Sequence, residues 1–192
     1  SPYVKGYIQY AKNENLQETL EILLHTFARD TNRLDIMQEI SKIYYYQRNY
    51  EAALPYCNTY LKAKKMYNLH IYPHEDIKLA YIYEKLGYQN IADSLYQTYF
   101  NYFKNKESLY QDLTLGIYYA NNNEPEKAFE HLHEFEKQDD YHIWTILFLQ
   151  KDPLMDPIRN TNEFKIFQKS IENKFWEKHE KIKQELVDKK LL

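Results

Sequence analysis

Glycine is scarce, at three residues in 192, and proline occurs only six times. Folds built from strands and tight turns draw heavily on both residues. Their shortage excludes such folds and predicts long helices with few connections. A single cysteine, Cys57, rules out an internal disulfide framework and fits a reducing compartment. No apolar run approaches the roughly 18 residues of a membrane span. The longest, Ile143 to Leu149, is short and broken by Thr145. The opening residues do not read as a secretory leader. A cytoplasmic location without membrane contact is therefore expected. The absent initiator Met suggests a processed protein or a piece of a longer one.

Charge is also missing in any concentrated form. The net charge is −3 with both signs interspersed, so no basic stripe exists to displace counterions, and direct nucleic-acid contact by this segment is not expected. The cluster Lys62, Lys64 and Lys65 reads as a helix end, where cations suit the helix dipole. Catalytic patterns are absent too. Three scattered glycines cannot form a phosphate loop, and there is no nucleophile elbow, zinc-binding pair or Cys-x-x-Cys. His70 and His74 are four apart, but Pro73 between them breaks a shared helical face. His131 and His133 are two apart and point to different sides. Carboxylates alternate with lysines, as solvated helix faces do. The expectation is a protein that is not an enzyme and holds no cofactor or metal.

Tyrosine is present in excess, at 21 residues. Its apolar ring and polar tip suit half-buried seams between helices and binding faces alike. Much of it falls in a repeat. Ser41, Tyr44 and Ala53 set a pattern of small residue, aromatic three later, small residue nine after that. The pattern returns at Ala80, Tyr83, Ala92 and at Gly116, Tyr119, Ala128, with a weaker copy at Tyr7, Tyr10, Thr19; the steps are 34, 39 and 36 residues. The small residue allows a close helix approach, and the tyrosine one turn later lies on the same face. Polar turns follow at Lys12–Asn15, Gln47–Asn49, Lys85–Gly87 and Asn121–Asn123, where Asn and Gly accept a left-handed helix end. Apolar positions then recur four and seven residues after the second small residue: Leu23 and Thr26, Cys57 and Tyr60, Tyr96 and Tyr99, Leu132 and Phe135. Cys57 therefore falls in a packing slot.

The segments ISKIYYYQRNYEAALPYC, LAYIYEKLGYQNIADSLY and LGIYYANNNEPEKAFEHL resemble tetratricopeptide repeats. The resemblance covers residues 1–138 in four copies; the tryptophan at the repeat start and the proline at its end are missing. It implies an all-α fold, a right-handed superhelical stack of antiparallel helix hairpins whose first helices line a concave face. The step of 39 places a longer loop near Asn68 to His74, where Pro73 forbids a continuous helix.

Residues 139–192 read as the closing part of the same domain. A short helix is expected over Tyr141 to Gln150, then two Asp-Pro turns that hold Leu154 and Ile158. Asn160 and Glu163 read as a capping box. A C-terminal capping helix then runs from Asn162 to about Lys189, with Phe164, Phe167, Ile171, Phe175, Ile182 and Leu186 at helical spacing. The run DPLMDPIRNTNEFKIF resembles the segment that ends the repeat region of bacterial multidomain transcriptional regulators, including those with an AraC-type helix-turn-helix DNA-binding domain.

Under the resemblance, the concave face carries Lys42, Tyr45 and Tyr46 beside Asp35 and Gln38. It continues through Ile77, Tyr81 and Lys85 beside His74 and Glu84, and ends on Tyr110, Leu113 and Ile117 beside Asn121. The paired lysines and asparagines that clamp a chaperone tail in some such proteins are missing. Three readings stay open. The face binds a protein or peptide partner, the C-terminal helix fills it, or an apolar patch drives homodimerisation. The expected function is a protein-interaction module, the regulatory or sensory region of a transcriptional regulator. The alternative is a stand-alone scaffold or adaptor in cell-envelope or complex assembly.

Overall fold

The computed structural model describes residues 2–191, with side chains from Val4 onward. Among these residues there are ten α-helices and no strand. They are α1 (Pro2–Asn13), α2 (Leu16–Phe27), α3 (Leu34–Tyr46), α4 (Tyr50–Met66), α5 (Asp76–Lys85), α6 (Gln89–Phe103), α7 (Gln111–Asn121), α8 (Pro125–Glu136), α9 (Ile143–Phe148) and α10 (Asn162–Asp188). Short 3-10 turns lie at Pro73–Glu75, Leu149–Lys151 and Pro153–Met155. The chain forms two compact units, Ser1–Tyr102 and Phe103–Leu192.

Consecutive helices pack on one another. In the first unit α1 meets α2, α2 meets α3, α3 meets α4 and α4 meets α5; in the second, α7 meets α8. Three of the connections turn in the same way. The amide of Asn49 donates to the Tyr44 carbonyl at 2.9 Å, Tyr88 to Tyr83 at 2.9 Å, and Glu124 to Tyr119 at 3.0 Å. The residue before each donor is left-handed: Arg48 (φ 59°), Gly87 (φ 80°) and Asn123 (φ 57°). This is a Schellman helix end, and its carbonyl acceptor is the repeat tyrosine every time. The recurrence is compatible with a helical repeat.

The small residues keep the backbones close. A Cβ on Gly116 would lie 2.9 Å from Leu132 Cδ2 and 3.3 Å from the Ala128 carbonyl oxygen. Ala53, Ala80, Ala92 and Ala128 are fully buried. In the first hairpin the close approach falls at Gly6 and not at Tyr7. The Thr19 hydroxyl donates to the Gly6 carbonyl at 3.1 Å, and a Cβ on Gly6 would lie 3.2 Å from Thr19 Cγ2. The Tyr7 hydroxyl reaches Glu39 on α3. Cys57 is fully buried, and burial pushes its thiol up to about 12, against a weaker opposing hydrogen bond from Ser41. It is a core thiol.

The second unit closes on itself. Leu113, Ala128, Leu132 and Phe135 share one core with Tyr141, Ile146, Met155, Ile158, Phe164, Phe167 and Ile171. Two local details differ from expectation. The short helix begins at Ile143, because the Tyr141 hydroxyl donates to the carbonyls of Glu136 (2.8 Å) and Gln138 (2.7 Å) and holds that residue outside it. The cap of α10 is Thr161, whose hydroxyl accepts from the Phe164 amide at 3.2 Å, and not Asn160. Asp152 caps the Pro153 turn by accepting from the Leu154 amide at 3.0 Å.

Two glycine substitutions separate the turn from the seam. Gly87→Ala meets no atom within 4 Å but inherits the left-handed φ, so it should cost about 1 kcal/mol. Gly116→Ala gains about 1 kcal/mol of helix propensity yet overpacks a seam closed by fully buried Leu132, and should still lose about 1 kcal/mol net. Urea unfolding of both variants is the check; a stabilised Gly116→Ala protein would contradict the close approach.

Candidate functional site

The face expected from the first helices begins with a buried group of charges in the first unit. Lys42 on α3 reaches Glu39 at 2.9 Å, one turn back, and Glu75 at 3.2 Å. Lys78 on α5 reaches Glu75 at 2.8 Å. Tyr7 on α1 donates a short hydrogen bond to Glu39, and the Lys42 ammonium lies over the Tyr7 ring at 5.2 Å. All four charged side chains are at most 15 % exposed. Two lysines and two glutamates balance, as buried charges must.

Partner number sets the direction in which the Glu75 and Asp76 carboxyls shift. Burial alone would raise the Glu75 carboxyl, but Lys42, Lys78 and His74 outweigh it and hold it far below the ordinary carboxylate range. Burial likewise works against the Lys42 ammonium, and Glu75, Tyr7 and Glu39 outweigh it, so its proton is held more tightly than usual. Burial lifts the Tyr7 hydroxyl well above its ordinary value. Asp76, next in sequence, is similarly buried and has Lys64 at 2.8 Å. There burial wins, helped by the neighbouring Glu75, and the carboxyl is raised.

The longer loop delivers Glu75. Leu69 closes the end of α4 by donating to the Lys64 carbonyl at 2.9 Å. Tyr72 is left-handed (φ 49°), and Pro73 opens the 3-10 turn that ends on Glu75. His74 is exposed and lies 3.7 Å from Glu75; His70 is exposed as well.

One turn further along α3 and α5, tyrosines replace the charges. The Tyr45 ring meets Tyr46 edge-on at 5.2 Å and Tyr81 at 5.7 Å; Tyr50 meets Tyr81 at 5.8 Å. Lys85 lies over the Tyr81 ring at 4.6 Å. Burial pushes the Tyr50 hydroxyl up to about 12, with Tyr81 adding to the shift and Arg48 opposing it. Tyr45, Ile77 and Tyr81 are buried, so the accessible part of this cluster is Tyr46, Tyr50 and Lys85. The first unit thus brings together Lys42, Tyr45, Tyr46, Ile77, Tyr81 and Lys85 along α3 and α5. Tyr7, Glu39, Glu75 and Lys78 were not foreseen. The readable signal for the acids is an i,i+3 acid–lysine pair on each helix, Glu39–Lys42 and Glu75–Lys78.

Tyr110, Leu113 and Ile117 belong to the second unit. Leu113 is buried in its core, and Ile117 and Tyr110 pack against that core half-buried. The Tyr110 ring stacks on His142 at 5.1 Å, and its hydroxyl accepts from the His142 amide at 3.0 Å. The turn Pro153–Met155 packs on α7, so the closing segment covers this stretch. The histidines of α8 sit against neighbours. His131 stacks on Tyr119 and meets Asp112 at 2.8 Å; His133 stacks on Phe129 and lies 3.7 Å from Glu163.

Among the described residues no group of three or more His, Cys, Asp or Glu could hold a metal ion, and no helix is long and apolar enough to cross a membrane. No family model matches the chain, and neither curated proteins nor solved structures give a match.

The charge group makes a stability prediction. Lys42→Met leaves Glu39 and Glu75 buried without their shared cation and should cost about 3 kcal/mol at neutral pH. Because the folded-state value of Glu75 is depressed, its contribution is complete above the ordinary value of 4.5. It is lost as pH falls through the lower folded value. Glu75→Gln should therefore be less stable than wild type near pH 7, with a difference that shrinks on acidification. Denaturant midpoints taken from pH 7 to pH 3 check both statements.

Proposed function

We propose that this chain is a protein-interaction module: a right-handed superhelical stack of tetratricopeptide-type hairpins whose partner is a protein or peptide seated along α3 and α5. The observation that carries the reading is the face itself. Two first helices lie side by side, joined by Lys42–Glu75 (3.2 Å) and by Tyr45–Tyr81 (5.7 Å). Ion pairs and edge-on ring contacts fix these side chains before any partner arrives, which reduces the ordering cost of binding. Tyr46, Tyr50 and Lys85 at the accessible rim combine aromatic area with hydrogen-bonding tips and one cation, the composition that peptide-binding surfaces favour. The module works by contact, without catalysis or a cofactor, in the cytoplasm.

The finer reading is that the module is the regulatory arm of a bacterial transcriptional regulator with its DNA-binding domain outside this chain. Its support is the closing sequence DPLMDPIRNTNEFKIF, where Asp152, Leu154, Met155 and Ile158 are buried at the turns. Partner binding would then set the geometry of the attached domain.

Photo-crosslinking in the native host tests the contact. A benzophenone side chain at Tyr46 should give an adduct of raised mass, whereas one at exposed Gln97 on α6 should not. Equal adducts at both places, or none at Tyr46, would remove the α3–α5 face as the binding surface. Transcript profiling of a host carrying Tyr46→Ala with Lys85→Glu tests the finer reading, which requires a restricted set of genes to change expression. An unchanged transcriptome beside a lost adduct returns the chain to the scaffold class.

A further inference from the structure

We propose that the C-terminal half of α10 is a self-association surface that pairs antiparallel with α10 of a second copy. α10 has 27 residues, about 40 Å at 1.5 Å per residue. Its first half is anchored: Phe164, Phe167 and Ile171 are buried, Gln168 is 4 % exposed, and Phe175 packs half-buried on the same core. The last ties to the rest of the unit are Lys174 to the Glu136 carbonyl at 2.6 Å and Lys178 to Asp140. From His179 to Asp188 every residue but half-buried Leu186 is exposed. The hydrogen bonds and ion pairs there stay within the helix, as Lys183 to Glu180 (3.4 Å) and Gln184 to Asp188 (2.8 Å).

The projecting part is not uniformly polar. Phe175, His179, Ile182 and Leu186 fall at steps of four, three and four, one seam of a paired helix. Ile182 is 48 % exposed and Trp176, beside the seam, 46 %. A helical end of this length is marginal alone in water, and a half-exposed isoleucine on it lacks a partner for its apolar area.

The flanking residues choose the occupant. Lys178 and Glu185 border the seam on one side, Trp176 and Lys183 on the other. Two copies related by a two-fold axis between residues 180 and 181 place Phe175 against the partner's Leu186 and His179 against the partner's Ile182. On the flanks Lys178 then meets the partner's Glu185, and Trp176 meets the partner's Lys183, a cation over an indole. The axis doubles each contact. In the parallel arrangement Lys178 would meet the partner's Lys183 and His179 would meet its own copy. Like charges decide against it. The contact is independent of the α3–α5 face, so its failure leaves the proposed function untouched.

The contact is short, so the dimer is weak and concentration-dependent. Sedimentation equilibrium on the full chain should show monomer and dimer across a wide concentration range. Ile182→Asp, at a half-exposed site whose loss leaves the helical circular dichroism unchanged, should weaken dimerisation at least about tenfold. At low salt Glu185→Lys should weaken it, because the partner's Lys178 then faces a like charge. A monomer at every concentration, a dimer indifferent to Ile182→Asp, or a dimer that Glu185→Lys leaves unchanged at low salt would each overturn the proposal.

Discussion

Two helix backbones lie side by side only where no side chain stands between them, and the hairpins of this chain are built around that restriction. Gly116 faces Leu132 with no room for a methyl group. Ala80 and Ala92 are fully buried, and Gly6 takes the small place in the first hairpin. Close approach also demands an abrupt turn, and a left-handed residue supplies it in each case. The tyrosine one turn after the small residue joins the two requirements. Its ring fills the seam, and its carbonyl receives the bond that ends the helix. One residue type thus serves packing and chain reversal together, which accounts for part of the tyrosine excess.

Once the hairpins are fixed, the side chains that face away from their seams meet on neighbouring first helices, and their chemistry is sorted along the axis. Near the middle of α3 the partners are charged; near its end they are aromatic. Paired charges at low exposure add little net stability when complete and cost much when one is removed. Any other register of α3 and α5 would leave Lys42 and Glu75 buried without one another, a cost that favours the observed one. Edge-on rings are more forgiving of small shifts and keep apolar area near water. The locked part sets the spacing, and Tyr46, Tyr50 and Lys85 remain at the accessible rim.

Much of this was legible because it is local. A small residue, an aromatic three later and a small residue nine after that all belong to one hairpin, so composition and spacing foretell helices, turns and the burial of Cys57. What escaped depends on where the chain goes between hairpins. Glu75 could not be placed because Tyr72, a residue with no evident left-handed preference, reverses the loop before Pro73. Arg48 and Glu14 are left-handed too, although neither is a residue that signals it. Tyr45 and Tyr81 were expected on an open face, yet their rings meet edge-on and both are buried. A register identifies the face a residue is on, whereas burial depends on the residue opposite. Thr161 displaced Asn160 as the cap of α10 by one position, a shift that no spacing rule resolves.

The end of α10 shows the complementary case, a feature whose sequence pattern outlasts its structural use. The apolar stripe that anchors Phe164, Phe167 and Ile171 continues to Leu186, while the core it serves ends near Phe175. A capping helix needs only enough length to cover the last seam, and solvated residues beyond it would normally be polar on every side. Here the residues beside the continued stripe are placed so that reversal of the helix sets Lys178 against Glu185 and Lys183 against the Trp176 ring. A stripe left over from packing carries no such arrangement. The combination of continued apolar spacing with reversible charge order is what a self-complementary contact requires, and it singles out a second copy of this chain over an unrelated helix.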